Sequence, residues 1–291
     1  KENSTVTYSV GGLILSNSGA VTANYWLSEI YDEEIAEAHR NADIHIHDLS
    51  MLTGYCAGWS LKQLIQEGLG GISGKITSAP AAHLSVLCNQ MVNFLGIMQN
   101  EWAGAQAFSS FDTYLAPFVK VDNLTYREVK KCIEAFIYGV NTPSRWGTQA
   151  PFSNITLDWT VPADLAELPA IVGGKEMDFK YKDCKKEMDM VNKAFIEIMI
   201  EGDANGRGFQ YPIPTYSITR DFDWSETENN KLLFEMTAKF GTPYFSNYIN
   251  SDMEPSDIRS MCCRLRLDLR ELQKKSGGFF GAGESTGSVW V

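Results

Sequence analysis

No C-x-x-C spacing occurs in this chain, although it carries six cysteines, at Cys56, Cys88, Cys132, Cys184, Cys262 and Cys263. That absence argues against a zinc ribbon, which needs paired ligands a turn apart. Six thiols among 291 residues are also too sparse for a disulfide framework, so reduced cysteines in a reducing or anaerobic compartment are expected. Basic residues are in deficit, 25 against 36 acidic ones for a net charge of −11. A broad nucleic-acid surface is thereby disfavoured, because phosphate binding needs clustered cations, whereas a small anionic ligand needs only a few local donors. No apolar run approaches membrane-spanning length, and the first residues show no signal-peptide pattern. The expectation is a soluble, cytoplasmic protein with neither nucleic-acid nor membrane partners. Internal repeats and low-complexity linkers are missing as well.

What is present is a globular composition, 44% hydrophobic and 12% aromatic, in a chain long enough for one large or two ordinary domains. Thr125-Tyr126-Arg127-Glu128 has the spacing of a capping box, in which hydroxyl and carboxylate satisfy each other's orphan amides. It opens a helix whose Val129, Cys132, Ile133, Phe136, Ile137 and Val140 recur at helical spacing. Leu84, Leu87, Met91, Leu95, Met98 and Trp102 mark an earlier helix, read here as running on through "GAQAFSSFDTYL". Met188, Val191, Phe195 and Met199 mark another, and a further one spans about Ser225 to Phe240 and stops at Gly241. Extended runs lie between them: "IHIH", "FSNITLDW", "FQYPIPTYSIT", "RLRLDL" and the closing "SVWV". Helices alternating with strands favour an α/β fold with largely parallel strands. Pro212 and Pro214 assign the third run to a strand end or irregular edge. The stretch after Trp159, "TVPADLAELPAIVGGKEMDFKYKD", reads as a long surface excursion. "SVWV" reads as a strand just beginning, so the chain is expected to be a fragment.

Several groups of residues are suited to chemistry. In "NADIHIHDLSMLTGYCAGWSL", His45 and His47 would share one face of a strand, with Asp48 at its end and Cys56 brought back by a turn at Gly54. A site, a pair of satisfied histidines holding a loop, and a His-x-His metal site are all compatible with that spacing. Gln149 and Asn154 flank a strand start, where such side chains commonly bond the backbone. Cys262 and Cys263 are adjacent, a poor geometry for a disulfide or a metal clamp, and open directly onto the leucine alternation of "RLRLDL". "SGGFFGAGESTGSV" offers the hydroxyls of Ser285, Thr286 and Ser288 around Gly287, but without the lysine of a P-loop.

Together, "TYSVGGLILSNSG", "IHIHDLSMLTGYCAGWSL", "WAGAQAFSSFDTYLAPF", "QAPFSNITLDW", "GRGFQYPIPTYSIT", "FGTPYFSNYIN" and "MCCRLRLD" resemble the catalytic subunit of anaerobic (class III) ribonucleotide reductase, in the family's order and over nearly the whole chain. The resemblance implies part of a ten-stranded α/β barrel of the glycyl-radical-enzyme type. Residues 1–291 would form an incomplete catalytic barrel domain, the first half of the barrel plus a central finger loop near 250–270. It implies reduction of ribonucleoside triphosphates under allosteric control by ATP and deoxynucleotides. Cys263 corresponds to the cysteine that becomes a thiyl radical, and Cys56 to the second active-site thiol on the opposite side of the substrate. His47, Ser285, Thr286, Gly287 and Ser288 would contact substrate or reductant, and no metal ligand is expected in this chain.

The resemblance further implies a homodimer, with the "WAGAQAFSSFDTYLAPF" region at its interface, a radical-SAM activating enzyme, and formate or a thioredoxin-like protein as reductant. The sequence lacks the family's C-terminal glycyl-radical segment with its Arg-x-x-Gly-Tyr pattern, the zinc site that supports it, and the second half of the barrel. Trp290 also stands where the family pattern calls for a small residue. The polypeptide alone is therefore expected to be inactive. Two other readings fit some of these features: a glycyl radical enzyme of the pyruvate formate-lyase kind, which uses adjacent cysteines, and a nucleotide-binding fragment without catalysis.

Overall fold

The computed structural model describes residues 10–51, 56–70, 77–102, 104–142 and 150–251, with the backbone of residues 258–260, 266–268 and 286–288. The chain opens with α1 (Val10–Tyr25), a π-helical turn (Trp26–Ile30) and α2 (Glu33–Arg40). From there strands and helices alternate: β1 (Cys56–Trp59), α3 (Leu61–Glu67), α4 (Leu84–Met98), β2 (Gln106–Phe108), α5 (Phe111–Val121), α6 (Tyr126–Asn141) and β3 (Ser153–Leu157). Next come α7 (Ala163–Ala166), the hairpin β4 (Pro169–Val172) and β5 (Lys175–Lys180), a 3₁₀ turn (Tyr181–Cys184) and α8 (Lys185–Glu201). The rest comprises β6 (Ile213–Ile218), α9 (Glu228–Phe240), β7 (Tyr244–Asn247), β8 (Ile258–Ser260), β9 (Arg266–Asp268) and β10 (Thr286–Ser288).

Six of these strands form one sheet in the order β10-β1-β2-β3-β6-β7. All its pairings are parallel except β1 with β10, which is antiparallel. This is the mixed α/β architecture with a parallel sheet that the alternation of elements predicts. Helices supply the crossovers, because a parallel strand cannot be reached by a tight turn.

Local signals explain where the helices start and stop. At α6 the Thr125 backbone N–H donates to Glu128 at 2.8 Å, and the Glu128 N–H donates back to the Thr125 hydroxyl at 3.4 Å. At α9 the Thr227 hydroxyl accepts from the Asn230 N–H, and Gly241 closes the helix in the left-handed conformation at φ 66°. The helix begins after Ser225 because that residue is held in a turn by the Asp223 carboxylate.

Three expectations are corrected. "IHIH" is not a strand: residues 41–50 are turns and irregular backbone following α2, and Asp48 is left-handed at φ 52°. The helix through Trp102 does not run on. It ends at Met98, β2 intervenes, and α5 starts after Ser110, itself left-handed at φ 54°. A short buried apolar run carries no periodicity to separate strand from helix. The third extended run has its prolines at a strand end, as expected, with Pro212 just before β6 and Pro214 its second residue, although β6 is not an edge strand but lies between β3 and β7. Its proline is tolerated because β7 begins pairing only at Thr215, so Pro214 has no ladder partner to lose on that side. Nor is the stretch after Trp159 a surface excursion: Ala170, Ile171 and Val172 of β4 are buried, and Tyr181 packs edge-on against Tyr114 of α5.

Helix α5 is enclosed by α8, β3, β4 and the 3₁₀ turn, with every side chain from Phe111 to Val119 buried. A helix apolar on all sides belongs to a core. Helices α4, α6, α8 and α9 pack in succession. Where α4 meets α6, a Cβ added at Gly139 would lie 2.7 Å and 2.9 Å from the two Val92 methyl carbons. A β-branched neighbour cannot swing aside, so Gly139→Ala is expected to destabilise the fold by about 1–3 kcal/mol, measurable by denaturant unfolding.

Candidate active site

The two faces of the sheet are chemically different. Gly58, Ala107, Asn154 and Ile213 stand side by side across β1, β2, β3 and β6. One pleat further on, Thr156, Thr215 and Tyr244 follow on the same face. Because side chains alternate along a strand, Cys56 shares this face with Gly58. The opposite face carries Phe108, Ile155, Leu157 and Tyr216, all fully buried in the hydrophobic core. One side of the sheet is thus filled by bulky side chains against helices. The other presents small and polar groups around a thiol across β1, β2 and β3, with the larger Ile213 and Tyr244 only further along the sheet.

Cys56 begins β1 and is 1% exposed. Its Cα pairs with Ser288 across the antiparallel β1–β10 ladder, while Ala57 pairs with Gly287 and Gly58 with Thr286. The structure therefore brings the end of the glycine-rich stretch directly beside the Cys56 strand. Ser285 lies outside the described residues. His47 is exposed, and its ring meets that of His45 edge-on at 4.7 Å, with His39 in turn against His45 at 5.6 Å. The Ile46 N–H donates to the His39 ring at 3.1 Å, so these histidines brace the turn after α2. Among the described residues no group of three His, Cys, Asp or Glu side chains is placed to hold a metal ion.

Cys262 and Cys263 lie outside the described residues, as does Gln149. The strands on either side of residues 261–265 are described: β8 and β9 pair antiparallel, with Ser260 opposite Arg266. Cys56, Cys88, Cys132 and Cys184 are all reduced. Burial pushes the thiols of Cys88 and Cys184 upward, that of Cys184 to about 12 with the Glu187 carboxylate adding to the effect. Such thiols remain protonated at neutral pH and behave as packing groups.

A buried polar network escaped the sequence reading. Asp112, in the first turn of α5, accepts from the backbone N–H groups of Thr113, Asp158 and Trp159 and from the Asn192 side chain, at 2.8–3.1 Å. The Tyr216 hydroxyl donates to the Asn192 carbonyl at 3.0 Å. Burial pushes the Asp112 carboxyl above the usual range, and the four donors work against that shift. The Thr113 hydroxyl donates to Asp158 at 2.6 Å, which ties the start of α5 to the end of β3. The one available signal was an aspartate standing inside the apolar run "SSFDTYLAPF".

A cleft of about 310 Å³ lies elsewhere, lined by Trp159, Lys185, Asp189, Asp223, Glu228 and Asn230 among others. Three carboxylates against one lysine make it a poor place for a polyphosphate. The small-residue face of the sheet is the better candidate site.

Comparison with known proteins agrees with the architecture. The family model described as anaerobic ribonucleoside-triphosphate reductase matches residues 2–291. The solved anaerobic ribonucleotide reductase of Thermotoga maritima in complex with dATP and CTP superimposes with a TM-score of 0.62 at 20% identity, covering 84% of this chain and 43% of that one. The same enzyme with citrate in the active site gives 0.63 at 22% identity, over 84% and 47% of the two chains. A further anaerobic ribonucleotide reductase structure gives 0.64 at 22%, over 84% and 40%. The chain thus spans less than half the length of these structures, and at such identities the likeness concerns the fold. No curated protein matches the chain.

Proposed function

The chain belongs to the anaerobic ribonucleoside-triphosphate reductase family, and from that premise we propose that it supplies one part of an enzyme that reduces ribonucleoside triphosphates to deoxyribonucleoside triphosphates. The observation that carries this reading is Cys56, a buried thiol on the small-residue face of a parallel sheet, with β10 paired alongside it.

In this proposal Cys263 and Cys56 act on opposite sides of the ribose. A glycyl radical borne downstream would supply the initiating hydrogen-atom abstraction. Sulfur suits the relay because S–H and sugar C–H bonds have similar strengths, so a hydrogen atom moves either way at modest cost. Cys263, as a thiyl radical, takes the 3′ hydrogen. The 2′ hydroxyl then leaves as water, with Cys56 giving up the proton, and a hydrogen replaces it at C2′. Cys263 finally returns the 3′ hydrogen. Overall the sugar gains two electrons and two protons and loses water, with formate or a thioredoxin-like protein as the electron donor. Burial of Cys56, 1% exposed, serves the same chemistry by limiting access of solvent and oxygen.

Ser285, Thr286, Gly287 and Ser288 are assigned to substrate binding, a role supported by the register of β10 beside Cys56. His47 is assigned to holding substrate or reductant hydroxyls from the turn after α2. The working enzyme would be a homodimer, opened to catalysis by a radical-SAM activating enzyme and controlled by ATP and deoxynucleotides. The structural zinc belongs to the radical-bearing segment and not to the residues described here.

The test uses the full-length protein, activated anaerobically. A glycyl-radical doublet in electron paramagnetic resonance and conversion of a ribonucleoside triphosphate to its deoxy form are expected. A full-length protein that binds no nucleotide and shows no such doublet would sink the reading.

A further inference from the structure

Asn154 is out of place on the Cys56 face. It is the second residue of β3 and 4% exposed, yet its side-chain N–H₂ has no hydrogen-bond partner among the described residues. Its neighbours in the row are Gly58 and Ala107 on one side and Ile213 on the other, none with a side chain able to accept. Gln106 and Ser153 lie on the other face of the sheet. Their side chains also hold unpartnered atoms, but these two residues are register neighbours of each other, and Gln106 accepts from the Trp59 indole. A buried donor that nothing among the described residues satisfies calls for a further partner.

Placement identifies the partner. Asn154 lies two strands from Cys56 and one pleat along; with strands about 4.8 Å apart and about 3.3 Å per residue, their Cα atoms are roughly 12 Å apart. Once the two side chains reach inward, the remaining gap suits a single pentose ring. The residues between them, Gly58 and Ala107, contribute almost no bulk. A neutral amide N–H is also the right donor for a sugar hydroxyl, whereas a phosphate would call for a cation or a helix N-terminus.

We infer that Asn154 is a substrate-binding residue that donates its amide N–H to a ribose hydroxyl of the nucleotide held against Cys56. This rests on the reductase reading of the same site. The hydrogen bond fixes the ring so that the carbon facing Cys56 is presented in one orientation.

The experiment is a cycle in the full-length enzyme, pairing Asn154→Ala with ribonucleotide, 2′-deoxynucleotide and 3′-deoxynucleotide ligands. Asn154→Ala is expected to weaken ribonucleotide binding about 10-fold or more, and to leave unchanged the binding of whichever deoxy ligand lacks the contacted hydroxyl. Asn154→Asp, which keeps the size and turns the donor into an acceptor, is expected to be at least as impaired. The melting temperature of Asn154→Ala in the absence of nucleotide should equal or exceed that of the wild type, since the variant removes an unsatisfied group. Equal losses for all three ligands, no loss for the ribonucleotide, or a fall of several degrees in melting temperature would each overturn the inference. Failure of the wild type to bind any ribonucleotide would instead overturn the reductase reading, and the inference with it.

Discussion

Cys263→Ser in the full-length, activated enzyme is expected to abolish deoxyribonucleotide formation while leaving the glycyl-radical signal at wild-type intensity. The reason is bond strength and not acidity. A serine O–H bond is much stronger than a sugar C–H bond, so its hydrogen cannot be relayed from the ribose at a useful rate. An added barrier of even about 7 kcal/mol slows a step roughly 10⁵-fold, below the detection limit of ordinary assays. Cys262→Ser is the control one residue away. Cys262 has no chemical role in the proposal, and its variant should retain substantial turnover. The measurement is anaerobic product analysis beside electron paramagnetic resonance of the same samples. Turnover surviving in Cys263→Ser would remove the thiyl assignment. Activity lost in Cys262→Ser and kept in Cys263→Ser would transfer the assignment to the other member of the pair.

The largest effect on folding is expected at Asp112. Asp112→Ala takes away the acceptor for three backbone N–H groups and for Asn192, all of them in the interior. Stranding several buried donors at once should cost about 4 kcal/mol, or roughly 10 °C in melting temperature for a chain of this size. Asp112→Asn should recover only part of that. It keeps one acceptor oxygen but turns an N–H₂ group toward donors. A calorimetric scan decides the matter, and a variant melting within about 2 °C of the wild type would show that the network contributes little. The consequence extends to the site. Asp112 holds the backbone of Asp158 and Trp159 at the end of β3, the strand that carries Asn154. Weakening the network is therefore expected to loosen the small-residue face as well.

The features that were readable along the chain share one property: their causes are local. The Thr125–Glu128 capping box, the Gly241 stop and the apolar spacing of α8 each depend on residues within a few positions, and each is present. Reduced thiols at Cys56, Cys88, Cys132 and Cys184 followed from their number and spacing. The misread features have distant causes. "IHIH" alternates like a strand, but α2 and its own ring contacts hold it as a turn. The apolar run into α5 looks continuous, but pairing of β2 with β1 and β3 interrupts it. Asp112 was invisible as a hub because its partners Asp158, Trp159 and Asn192 arrive from elements far along the chain.

The amino-acid sequence by itself determined the family, through the ordered segments that include "YCAGWSL" and "MCCRLRLD", and the places where several helices begin and end. Only the tertiary structure decided which side chains share a face. Ala107, Asn154 and Gly58 form one row because of the register between strands that lie tens of residues apart. A slip of one residue would turn each of them to the opposite side of the sheet. That register is set by the packing of Phe108, Ile155 and Tyr216 against the helices, a sum over long-range contacts that no short window of sequence contains.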